Sequence, residues 1–129
     1  MNYYTLDENN NPIRIEGTPH EQMMAFGMLM EDEKFRRVGV DIINGYRIST
    51  IFLVLDHGFY LCNEKPILWE TMIFAGNDCS DLFCQRYDNY LDAKRGHNIC
   101  VEIIKNVGFS CNTDLKVCLE RVLENTSLK

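Results

Sequence analysis

A chain of 129 residues, 46% hydrophobic and 25% charged, has the size of one domain and enough apolar material to bury its own core. Its start, MNYYTLDENNN, has neither the basic opening nor the apolar run of an export signal. No stretch approaches the roughly 18 continuous apolar residues of a membrane span, so the sequence predicts a soluble, cytoplasmic protein with no membrane partner. The net charge of −6 lies in residues 1–33, where seven acids (Asp7, Glu8, Glu16, Glu21, Glu31, Asp32, Glu33) face one base, Arg14. That balance argues against general nucleic-acid binding, which needs cations to neutralise phosphates; it fits a solvated acidic face best and a basic protein surface as partner second.

In chain order, NYYT (2–5) and IRIE (13–16) are short β-prone runs separated by the turn-forming LDENNNP, which predicts an N-terminal hairpin. Thr18-Pro19-His20-Glu21 then reads as a helix start: a capping threonine, a proline at the first helical position and a glutamate that closes a capping box. The helix is expected from Pro19 to about Asp32. Its apolar residues (Met23, Met24, Phe26, Met28, Leu29, Met30) cover more than one narrow stripe, which leaves part of this face for adaptable contacts, although plain core packing is the favoured reading.

VGVDII (38–43), Asn44-Gly45 and YRISTIFLVL (46–55) form the clearest local signal, a hairpin closed by a type I′ turn whose two residues both need positive φ. The run to Leu55 becomes apolar on both faces, as in a central strand under helices. A punctuated connection leads to a strand at Leu68–Phe74, and DLFCQRY (81–87) predicts a fourth antiparallel strand. Asp88 and Asn89 are expected to cap a helix ending near Gly108, with Ala93, His97, Cys100, Val101, Ile104 and Val107 facing the sheet. Thr113 is expected to cap a last helix over 114–124. Its stripe of Leu115, Cys118, Leu119 and Val122 would pack on the body or on a second copy in a homo-oligomer.

These elements predict a single α+β domain over 1–129: an antiparallel sheet of four to six strands with two to three helices packed mainly on one face. The six cysteines are expected to be reduced, since Cys100 and Cys118 fall in apolar helical stripes and Cys79 and Cys84 are too far apart for a zinc knuckle.

Polar groups in apolar surroundings are the candidate site. They are Asp56 and His57 after the central strand, Trp69 and Glu70 in the next, Arg86 and Tyr87 before the long helix, and His97 on that helix's inner side. If the strands are neighbours, these seven would converge at one sheet edge. A histidine beside a carboxylate is the minimal acid–base pair and can also begin a metal site. Yet no hydrolase, metal or Gly-rich phosphate motif is present, so no catalytic residue, metal or cofactor is assigned. The same residues fit a hydrogen-bonded core cluster equally well. Trp69 would be a stacking platform if exposed and core if covered.

ISTIFLVLDH (48–57), PILWETMIFAG (66–76) and QRYDNYLDAKRGH (85–97) together resemble a family of small uncharacterised phage and prophage proteins. Its pattern is STxFLxLDH, then PxLWETMxF, then RY and a downstream GH. The resemblance implies a phage or prophage origin, action in the host cytoplasm and a compact fold uniting these elements, without implying an activity. Two functions follow as expectations. One is an accessory, anti-defence binding protein that inhibits a host protein, or sequesters a small nucleotide through Arg86, Trp69 and His57. The alternative is a small acid–base or metal-dependent hydrolase using Asp56, His57, Glu70 and His97.

Overall fold

The computed structural model describes residues 2–58, 65–75, 81–106 and 117–121. The expected N-terminal hairpin is formed by β1 (Tyr4–Leu6) and β2 (Pro12–Arg14), with Thr5 opposite Ile13. Asp7 organises its turn by accepting the backbone N–H groups of Asn9 and Asn11. The Asn11 N–H above all holds this carboxyl below its ordinary pKa.

Helix α1 (Pro19–Glu31) begins with the complete capping box: Thr18 Oγ1 accepts the Glu21 N–H, and Glu21 Oε1 accepts the Thr18 N–H, each at 3.2 Å. Asp32 leaves the helix and caps a second, short one, α2 (Glu33–Arg36), by accepting the Phe35 N–H at 3.1 Å. The sequence reading did not anticipate α2.

The main sheet is an antiparallel meander in the order β3 (Arg37–Ile43), β4 (Tyr46–Phe52), β5 (Trp69–Ala75), β6 (Asp81–Tyr87). Asn44 and Gly45 carry φ of 53° and 81°, the doubly positive pair that a type I′ turn demands. Strand β4 stops at Phe52, short of Leu55. Val54 sits at φ 69°, a conformation that branched side chains avoid, and the chain folds over the sheet end there. The turn is held by the N-terminal hairpin: the Tyr4 N–H donates to the Val54 carbonyl at 2.7 Å, and Leu55 bridges Tyr3. Val54 itself is fully buried, so packing on its side chain offsets the backbone strain.

Helix α3 (Tyr90–Asn106) starts where Asn89 Oδ1 accepts the Asp92 N–H at 2.9 Å, and it touches all four strands of the sheet. Its buried face is Ala93, Gly96, His97, Cys100 and Ile104, with Val101 only half-buried. Strand alternation gives this helix Ile48, Thr50, Phe52, Trp69, Thr71, Ile73, Phe83 and Tyr87 to pack on. A short helical turn over 117–121 buries Leu119 in the same core, while Val107, Gly108, Thr113, Leu115 and Val122 lie outside the described residues.

The core has two apolar halves. Ile48, Ile73, Phe83, Cys100, Ile104 and Leu119 fill one. Phe52, Val54, Leu68, Trp69, Tyr87 and Ala93 fill the other, flanked by Tyr3, Phe26, Leu29 and Phe35. Thr50, Thr71 and His97, all buried, lie between them. The expected α+β class is what the structure shows. None of the described helices is long and apolar enough to cross a membrane.

Candidate functional site

The polar layer between the two halves is one hydrogen-bonded chain. The Tyr87 hydroxyl donates to Thr71 Oγ1 at 3.0 Å, Thr71 and Thr50 Oγ1 are bonded to each other, and Thr50 Oγ1 lies 2.7 Å from His97 Nδ1. His97 Nε2 lies 2.7 Å from Asp41 Oδ2. Thr71 accepts from Tyr87, and the Thr71–Thr50 and Thr50–His97 links each carry one proton, whose side is set together with the tautomer of His97. Burial pushes the Tyr87 hydroxyl's pKa up, keeping it a donor.

Asp41, His97 and Thr50 stand in the order of a hydrolytic triad, but Thr50 and Thr71 have no exposed surface. A nucleophile must reach its substrate, and this hydroxyl is sealed between sheet and helix. The chain reaches solvent only through Asp41, whose side chain is 48% exposed. Two glycines make room for it. A Cβ on Gly39 would stand 2.7 Å from His97 Nε2, and one on Gly96 would collide with the Tyr87 ring and hydroxyl.

The seven residues singled out in the sequence separate into three places. His97 on α3 and Tyr87 and Trp69 on the strands beneath it lie between helix and sheet. Trp69 is fully buried and tilted against Phe52, ring centroids 5.4 Å apart, which makes it core and not a platform. Its indole N–H has no partner among the described residues. Glu70 and Arg86 sit directly opposite each other on the sheet's other face and pair at 2.9 Å. Side chains alternate across a strand, so Glu70 cannot meet His97 while Trp69 lies under α3. Asp56 is a loop organiser that accepts the N–H groups of Gly58 and Ile67, and His57 beside it is exposed. The expected convergence at one edge is therefore not formed. Among the described residues no three acidic, histidine or cysteine side chains gather to hold a metal.

The most exposed apolar surface with a common origin is on α1. Met23, Met24 and Met28 are 57%, 58% and 71% exposed, and no residue of the helix is fully buried. At 100° per residue these three and Met30 span one outer arc with Gly27 among them, while Phe26 and Leu29 turn inward. A Cβ on Gly27 would meet nothing within 4 Å. Glu31 stands within this arc and Glu21 and Asp32 at its edge, all three exposed.

No family model, curated protein or solved structure matches the chain. The geometry alone must therefore assign the site. Sequence reading singled out His97, favoured core packing for the methionines, and missed Asp41, Thr50 and Thr71. The usable signal was threonine at inward positions of adjacent strands, each flanked two residues away by large apolar side chains.

Proposed function

We propose that the protein works by binding, and that the methionine face of α1 receives a basic, amphipathic segment of a partner protein. Exposure of Met23, Met24 and Met28 on one helix carries this reading, because large contiguous apolar exposure marks interaction surfaces. Unbranched thioether side chains repack around varied apolar partners. The acidic residues give the partner's charge: cations flanking an apolar stripe would meet Glu21, Glu31 and Asp32. The resemblance to phage and prophage proteins supports a bacterial host protein as partner; inhibition of a defence component by that binding is the proposed outcome, on which the resemblance is silent. Acid–base catalysis gains no support from the placement of Asp56, His57, Glu70 and His97.

The test is quantitative affinity capture from host extract with wild-type protein and with Met24→Glu and Met28→Glu variants. The expected result is a basic protein enriched by wild type and lost with either variant, both variants keeping wild-type circular dichroism. Capture of the same proteins by all three chains removes α1 from the function.

A further inference from the structure

On the face of the sheet turned away from α3, two hollows adjoin. One, of about 250 Å³, is bordered by Arg36, Arg37, Arg47 and Glu33, and the other, of about 150 Å³, by Ile51, Met72 and Phe74. Arg47, Ser49 and Ile51 belong to both, so the hollows form one groove across β3, β4 and β5.

The two ends differ in chemistry. At the first, three guanidinium groups face a single carboxylate, in a chain whose net charge is −6. Arg36 is held by backbone carbonyls, its Nε donating to Phe52 at 3.1 Å and its Nη1 to Met30 at 3.3 Å, which position the cation without neutralising it. Arg37 meets Glu33 only at 3.9 Å, with both side chains exposed, a weak pairing. The Arg47 guanidinium lies 4.4 Å from the centroid of the Phe74 ring and so offers a flat, charged surface to the groove. Ser49, half-buried between them, adds a hydroxyl donor. At the second end Ile51, Met72 and Phe74 supply apolar contact. Glu70 also borders it, but Arg86 neutralises that carboxylate at 2.9 Å, so it does not repel an anion.

Planar forked donors match the oxygens of a phosphate, and a guanidinium stacked on an aromatic ring matches a flat heterocycle. We propose that this groove binds a small phosphate ester bearing a planar ring, in its simplest form a mononucleotide. Its phosphate sits among Arg36, Arg37, Arg47 and the Ser49 hydroxyl, and its ring lies along Arg47, Ile51, Met72 and Phe74. A mononucleotide fits better than a nucleic-acid strand because the remaining described cation on this face, Arg86, is already paired with Glu70. The site is independent of the methionine face of α1, whose border has the opposite charge.

The experiment is titration of the full chain with adenosine monophosphate, inorganic phosphate and adenosine, read by calorimetry and by amide chemical shifts. Saturable binding is expected for the monophosphate, weaker for phosphate and weakest for adenosine, with the Ser49 and Ile51 amides moving. Arg37→Ala and Arg47→Ala should each weaken the monophosphate roughly tenfold or more, the loss expected for one charge-assisted contact. Arg95→Ala, on the exposed side of α3, should leave it unchanged. Arg36 is spared because its backbone bonds support the fold, and circular dichroism checks each variant. Three results overturn the proposal: no saturable monophosphate binding at millimolar concentration, undiminished binding by the Arg37→Ala/Arg47→Ala double variant, or binding confined to oligonucleotides.

Discussion

Thr50→Val tests the buried polar chain most directly, because valine keeps the shape of threonine and removes only the hydroxyl. Thr50 Oγ1 is bonded to both Thr71 Oγ1 and His97 Nδ1, so the substitution strands two buried polar groups whichever way the protons point. Each stranded group costs about 1–3 kcal/mol, which gives about 3 kcal/mol for the pair after crediting the hydroxyl no longer desolvated. For a domain of this size about 3 kcal/mol corresponds to a melting temperature lower by about 10 °C. Urea unfolding of wild type and variant, with equal m-values, measures it. Thr71→Val strands the Tyr87 O–H donor, and Thr71→Val/Tyr87→Phe removes the stranded donor as well. The double variant should thus be more stable than the sum of its singles by about 1 kcal/mol. A Thr50→Val protein within about 0.5 kcal/mol of wild type, the range of an ordinary surface substitution, would refute the chain as a structural element.

Gly96→Ala should gain about 1 kcal/mol of helix propensity and still destabilise by roughly 2 kcal/mol, because its Cβ would lie 2.6 Å from Tyr87 Cζ in the closed core; thermal melting reads the sign. Burial pushes the Cys100 thiol up to about 12, so iodoacetamide at pH 8 should label the peptide of exposed Cys84 and spare that of Cys100 until the protein is unfolded. Thr18→Ala removes half of the α1 capping box and should cost about 1 kcal/mol by urea unfolding. The Thr18 hydroxyl, then its backbone N–H, hold the Glu21 carboxyl below its ordinary pKa. A lowered pKa adds stability above the unfolded value that is lost as pH falls through the folded one, so acidification across that interval should narrow the gap between wild type and Thr18→Ala.

The features legible in the sequence are those whose cause lies within a few residues. Thr18 and Glu21 make their bonds three positions apart, Asn44 and Gly45 supply their own positive φ, and Asn89 caps the next turn. The end of β4 was not legible, because IFLVL has the same composition whether it continues a strand or folds over a sheet end. What decides it is Tyr4, fifty residues earlier in the chain, bonding to Val54. The grouping of site residues failed for a related reason. Trp69-Glu70 and Arg86-Tyr87 are neighbours in sequence, and neighbours in a strand point to opposite faces. The true partner of His97 is Asp41, fifty-six positions away on an edge strand, a contact set only by how α3 crosses the sheet.

Helix α1 is stabilised unlike the rest of the molecule. Its inward contacts come from the half-buried Phe26 and Leu29 and from Met23 Sδ, which accepts the Tyr3 hydroxyl at 3.3 Å; most of the rest is local, in the capping box, the Asp32 stop, and Gln22 Nε2 donating to the carbonyls of Ile15 and Gly17 at 3.3 Å. A helix of 13 residues is marginal without tertiary packing, so this one sits near the low end of local stability. The fold makes little use of Met24 and Met28, and replacing either by a polar residue should change global stability by less than about 0.5 kcal/mol. A partner seated on the outer arc would remove apolar surface from water and give α1 a second packed face. Its amides should then exchange far more slowly in the complex than in the free protein, while those of β4 and β5, already under α3, change little. Slowed exchange confined to the sheet would instead place the partner on the open face, away from the methionines.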